Sequence, residues 1–402
     1  MEKSISSTEV EKVSSKIISM LLGTFIICAM FNNSAIPILS KLGFFGLLSI
    51  FGMGLFFLLS LLTINFKVDS RKGYIYIIFI LFIFSSLLSL LDHPSSKGVY
   101  IFIELLLINI LFIFLTIYNL AENIIKHISI LGMLYVLICY ILDVSTNGRM
   151  SNILYINPNT LGAIVLYLYI FFMFRMNYYK QRRIRSLYFF CVSFLSIFLI
   201  FYSQARSIWI SLTVFFVTYY MWDFLYKRKI FSRMYICIIL AFCMLFSFFY
   251  PRLPEYDFAL DWNRELLELT GKSLFSGRQL VWKDLLNSAM ENPLLGYSFD
   301  MRFNGGMSAH NMYLEIILQS GILGLGFLLI LFYSIWLYLC RYGHYVNARI
   351  SGAALTAIII HQLFEVTLIQ NNLAIGIMQW IIISLGFSGN LIQKKYIKGV
   401  KE

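Results

Sequence analysis

Apolar residues in this chain gather into blocks of roughly 15 to 25 positions between short polar stretches, the length a helix needs to cross ~30 Å of hydrocarbon. Twelve such blocks can be read, at 17–38, 42–66, 74–91, 99–120, 128–143, 161–175, 187–203, 207–222, 234–250, 312–339, 350–369 and 373–391. None has the strict alternation of a barrel strand, and an unpaired backbone amide in lipid costs several kcal/mol, so helix is the expected state of each. The pattern predicts an all-α polytopic membrane protein of about twelve spans. Spans 1–9 occupy 1–250, a long extracytoplasmic loop with short helices occupies 251–311, and spans 10–12 with a short cytoplasmic tail occupy 312–402. The first block follows a polar stretch with no small-residue cleavage pattern after it, so it is expected to be a retained span.

Composition agrees with that pattern. The 402 residues are 59% hydrophobic and 13% charged, and the mean hydropathy of +0.78 excludes a soluble globular fold. All six cysteines fall in or beside apolar blocks, where they serve as small packing residues rather than a disulfide framework.

The net charge of +12 would suggest nucleic acid in a soluble protein, but its distribution points elsewhere. With the N-terminus inside, 22 of the 32 basic residues fall on the inner side, including the clusters at 180–185 and 226–229, as the positive-inside rule requires. We therefore expect a multi-pass membrane protein with both termini inside, contacting membrane lipid and no nucleic acid. The stretch 251–311 is then outside and is the place to look for chemistry.

Within it, 276–293 has the spacing of an amphipathic helix, with Ser276 as the expected N-cap and Arg278 in the first turn. A guanidinium beside free backbone amides forms an anion site suited to phosphate; the plainer alternative is a surface arginine. A second helix is expected over 261–271, closed by Gly271. Arg206 sits where the seventh span turns into the eighth, on the side that basic residues avoid, and is either a snorkelling side chain or a second anion ligand.

His310 stands where the loop re-enters the membrane, after a run of glycine and serine that allows irregular backbone. Histidine suits proton transfer near neutral pH, although a lone histidine is often structural. Glu315, five residues on, is a candidate to orient it. Glu104 and Glu365 also fall in apolar blocks, where a carboxylate needs a partner or a function. His361 and Glu365, four apart, are expected to pair along one helix. No metal constellation and no Asp-x-Asp pair occurs, so arginines rather than a divalent ion are expected to meet negative charge, with no cofactor.

Five motifs, in order, resemble the O-antigen ligase and polymerase superfamily of membrane glycosyltransferases. They are NPNTLG at 157–162, SQARS at 203–207, SGRQLVW at 276–282, NPLLGYS at 292–298 and AHNMYLEIILQSGILG at 309–324. The resemblance covers roughly 155–335 and implies a substrate of undecaprenyl-pyrophosphate-linked oligosaccharide, handled at the outer leaflet. It also implies that Arg206 and Arg278 hold the pyrophosphate, that His310 is the general base, and that Asn157, Asn159, Tyr202, Gln204 and Asn311 line the site, with Glu315 a further lining candidate from its place near the outer surface. A chain-length-regulating membrane protein is an implied partner. Within the superfamily we expect a polymerase of surface-polysaccharide repeat units, with a ligase acting on a final acceptor as the alternative. A lipid-oligosaccharide flippase is the alternative from another class. It needs no outer domain, and no internal symmetry of an inverted-repeat transporter is detectable.

Overall fold

The computed structural model describes residues 7–63, 69–118, 120–145, 154–155, 157–179, 181–271, 273, 275, 277–298 and 309–388. Its helices are α1 (Ser7–Ala29), α2 (Pro37–Thr63), α3 (Ser70–Asp92), α4 (Ser96–Ile117), α5 (Ala121–Ser145), α6 (Pro158–Met176) and α7 (Arg182–Tyr202). They continue with α8 (Arg206–Lys227), α9 (Lys229–Phe249), α10 (Asp257–Thr270), α11 (Arg278–Ala289), α12 (Met312–Arg341), α13 (Val346–His361) and α14 (Leu373–Leu385). Among the described residues, ten helices are long and apolar enough to cross a membrane, and α13 and α14 are shorter apolar helices. The twelve expected spans thus correspond to twelve apolar helices, with α10 and α11 in the long loop.

The short helices matter most for the site. At 1.5 Å per residue, the 16 residues of α13 reach only about 24 Å and the 13 of α14 about 20 Å. The sequence pattern extends these blocks to 369 and 391, but α13 stops at His361 and residues 362–372 form a non-helical turn that is mostly buried. Irregular backbone among membrane helices is tolerated only where protein groups or a polar cavity satisfy it. Here Gln362 does so: its Oε1 accepts from the amides of Thr367 and Leu368, while its Nε2 donates to the Thr367 hydroxyl. The Trp380 indole donates to the Leu368 carbonyl and Gln379 to the Thr367 hydroxyl, so α14 braces the same turn.

The core joins the two ends of the sequence. Helix α3 packs along α12, α4 packs on α14, and α8 packs on α13. Helices α13 and α14 are buried throughout, whereas α2, α7 and α9 carry exposed side chains such as Phe45, Leu59, Phe190 and Ile238. In a bundle of membrane-length helices, such an apolar outer surface is the one that meets lipid.

Alternation of the helices sorts the charges. Lys72 at the start of α3 donates to the Thr116 carbonyl at the end of α4, and Arg349 at the start of α13 pairs with Asp223 near the end of α8, 3.5 Å away. Arg183, Arg185, Lys227, Arg228 and Arg341 lie at this same end. The opposite end holds the junctions α1/α2, α7/α8, α9/α10 and α13/α14 and the starts of α6 and α12.

Two of the motifs are structural. Helix α12 is broken at Gly321 (φ 63°, ψ −168°), and the segment 292–298 fills the break. Tyr297 and Ser298 donate their amides to the carbonyls of Leu318 and Gln319, and Ile322 donates back to Pro293. A Cβ on Gly321 would overlap the Leu294 carbonyl, and its φ disfavours any side chain. Gly321→Ala is therefore expected to cost about 2–4 kcal/mol, read as a lowered thermal midpoint of the detergent-solubilised protein; an unchanged midpoint refutes the close packing.

Candidate active site

Helix starts supply most of the polar groups. Asn157 caps α6, its side chain accepting from the Asn159 amide at 2.9 Å, and Pro158 takes the first helical position, where its missing N–H is no loss. The cap points the Asn159 amide away from the helix, and its Nδ2 donates to Glu365 Oε1 at 3.4 Å.

His310 follows Ala309, whose carbonyl accepts from the Trp282 indole of α11 at 2.7 Å. Its backbone is left-handed (φ 49°), as is that of Gln204 (φ 52°) and Asn371 (φ 64°). Such conformations are costly for residues other than glycine and collect at functional sites. His310 Nδ1 lies 3.1 Å from Glu365 Oε2, with the histidine side chain 37% exposed and the carboxylate 12%. The base is reachable and its partner is shielded. When Nδ1–H donates to the carboxylate, Nε2 carries the lone pair that can accept a proton. Burial alone would push the Glu365 carboxyl up, but the His310 hydrogen bond and the charges of His310, His361 and Arg278 outweigh it and hold the group below its ordinary value.

Glu365 was expected to pair with His361 along a helix. The helix ends between them: His361 Nδ1 lies 2.8 Å from the Tyr167 hydroxyl, and Glu365 turns to His310. Glu315 accepts from the Gln319 side chain at 3.1 Å and from the Ala309 amide at 3.4 Å, so it holds the backbone just before His310. Glu104 is buried in α4 beside Tyr100, one turn away, and lines neither cavity described below.

Arg206 and Arg278 each begin a helix, α8 and α11, as first-turn residues. The cap before Arg278 is Gly277 in a left-handed conformation (φ 82°), which corrects the expectation of a Ser276 cap. Ser276 itself, like the glycine and serine run at 305–308, lies outside the described residues. Arg278 Nη1 donates to the Phe364 carbonyl at 3.2 Å, adjacent to Glu365.

Two cavities result. One, of about 560 Å³, contains Arg206, Arg278 and Gln204 among aromatic walls that include Trp282 and Phe364. The other, of about 450 Å³, contains His310, Glu365 and Asn157. Asn159 lines both. Three residues expected to line the site fall outside them, the first being Glu315, which meets Gln319 and the Ala309 amide and lines neither cavity. Asn311 is fully buried as the cap of α12, accepting from Tyr313 and Leu314 and donating to Ser247, so it is a scaffold residue rather than a lining one. Tyr202 ends α7 stacked on Phe198 at 5.6 Å and faces neither cavity.

A histidine–carboxylate pair beside two arginines, at one end of a membrane helix bundle, is suited to transferring a group away from a phosphate leaving group. Residues 191–329 match the O-antigen ligase family model. That third of the chain holds Arg206, Arg278 and His310 but not Asn159 or Glu365. The match supports the O-antigen ligase superfamily and implies a membrane enzyme of glycosyltransferase kind in surface-polysaccharide assembly; ligase and polymerase are not separated by it. No curated protein matches the chain.

Proposed function

We propose that this chain is a bacterial surface-polysaccharide polymerase, transferring an oligosaccharide from undecaprenyl pyrophosphate to a second lipid-linked repeat unit at the outer leaflet of the cytoplasmic membrane. The observation that carries the proposal is the pair of adjoining cavities, one cationic and one holding a supported base. An acceptor hydroxyl attacks the anomeric carbon of the donor sugar. As the new C–O bond forms, its proton passes to His310 Nε2, and Glu365 stabilises the resulting imidazolium. The bond from the anomeric carbon to the pyrophosphate oxygen breaks, and its electron pair leaves with the undecaprenyl pyrophosphate. Arg206 and Arg278 meet the charge that grows there. This division of work needs no metal ion.

Outer-face placement is supported by the basic residues gathered at the end opposite the cavities. Placement of the polar groups at one end, rather than along the bundle axis, favours an enzyme over a flippase. Transfer to a final acceptor, as in a ligase, is the second reading, favoured by the name of the matched family. Purified protein with lipid-linked repeat unit as the only sugar substrate separates them: a polymerase yields a ladder of products on undecaprenyl pyrophosphate. A ligase leaves the single repeat unextended until a final acceptor is added. No product with either addition overturns both readings.

A further inference from the structure

The cavity around His310 holds more than the base. Among the described residues, six asparagines line it, from three separate parts of the chain: Asn32 and Asn33 after α1, Asn157 and Asn159 at α6, and Asn371 and Asn372 before α14. Ser34, Ser40, Thr160 and Thr367 add hydroxyls. Among the described lining residues there is no lysine or arginine, and the one carboxylate is Glu365. The neighbouring cavity has the opposite character, with both arginines and an aromatic wall.

We infer that the asparagine-lined cavity is the acceptor site and that it takes an uncharged sugar, held by its asparagine side chains, Asn33 and Asn371 among them. The inference rests on the glycosyl-transfer reading above. Displacement at an anomeric carbon brings the nucleophile from the face opposite the leaving group. With pyrophosphate at the arginines, the acceptor hydroxyl must lie on the His310 side. A sugar hydroxyl both donates and accepts, and a side-chain amide offers both functions in one group. A carboxylate or phosphate on the receiving sugar would find no lysine or arginine among these residues and would face the Glu365 carboxylate, so the cavity disfavours acidic sugars. The volume of about 450 Å³ is that of a small-molecule site.

The architecture supports a built site rather than an incidental gap. The first outer turn is pinned to the segment before α6, Ser34 Oγ and the Ala35 amide both donating to the Leu154 carbonyl. Asn372 caps α14 through its Oδ1, accepting from the Ile375 amide at 3.2 Å, while its Nδ2 is not used by that bond. Asn371 is held in a left-handed conformation that asparagine tolerates better than most side chains.

The test compares wild-type and deletion strains of the source bacterium. The sugar that receives the bond made by this protein is identified by NMR of the polysaccharide, from the linkage that disappears on deletion. An uncharged residue is expected there, whatever acidic sugars occur elsewhere in the repeat. An acidic or phosphorylated receiving residue overturns the inference while leaving glycosyl transfer intact. An unaltered polysaccharide in the deletion strain overturns the glycosyl-transfer reading itself. For location, Asn371→Asp and Asn33→Ala are assayed as purified full-length protein with a lipid-linked repeat blocked at its receiving hydroxyl as donor and a soluble repeat unit without pyrophosphate as acceptor, so that the two KM values are read separately. Each is expected to raise the acceptor KM at least tenfold with the donor KM unchanged. Equal increases in both, or none in either, place the acceptor elsewhere.

Discussion

His310→Ala is expected to lower single-turnover glycosyl transfer by about 10²–10⁴-fold, the range that a positioned general base contributes, with the protein still folded and inserted. The side chain is 37% exposed and bonded to a carboxylate on another segment, so its removal opens no apolar core. Glu365→Gln separates the two halves of this assignment. A glutamine oxygen can still accept from Nδ1–H and hold the ring, but it cannot stabilise an imidazolium. A loss of about 10²-fold or more with unchanged donor KM is expected. Should His310→Ala retain more than a tenth of the wild-type rate while Glu365→Gln is silent, the base lies elsewhere. Release of undecaprenyl pyrophosphate and free oligosaccharide without transfer would show that the donor still binds and reacts with water.

How this site is legible in the sequence depends on which group is considered. Arg206, Arg278 and His310 can be read because each sits at a change of pattern, where an apolar block ends or a loop helix begins. Asn159 and Gln204 follow from the same motifs. Glu365 cannot be read in the same way. It lies in an apolar block that looks like a continuous span, and four-residue spacing from His361 suggests a partner on its own helix. The helix ends because Gln362 bonds the amides of Thr367 and Leu368 and because Gln379 and Trp380 of α14 secure the turn. Those are tertiary bonds, invisible to periodicity. The one local sign was the polar content of the block, from Gln362 to Asn372, which a fully spanning helix would not carry.

The break in α12 escaped for a similar reason. Gly321 lies in an apolar run that tolerates glycine in a membrane helix, and only the approach of 292–298 requires its left-handed backbone. The same approach explains why NPLLGYS and QSGILG occur together as motifs: they are two sides of one packing joint. Asn311 is a parallel case, its place beside His310 set by capping rather than by chemistry.

The two arginines should differ in a way that tests whether they share one pyrophosphate. Arg206→Ala removes a cation that lines the cavity, so a loss of about 10²-fold in kcat/KM is expected. Arg278→Ala removes a cation and also the bond to the Phe364 carbonyl, the residue beside Glu365. Its loss should reach about 10³-fold, and the kcat pH profile should change as well, because Arg278 contributes to the charge around Glu365. Arg278→Lys keeps the charge but cannot present a planar fork to both phosphate and carbonyl, so it should recover only part of the rate. In the double variant the two losses should not multiply, since groups acting on one ligand couple by 0.5–3 kcal/mol, as a rough range. Independent, fully multiplicative effects with an unchanged donor KM would mean that the arginines do not meet on the same leaving group, and the cationic cavity would lose its assigned role.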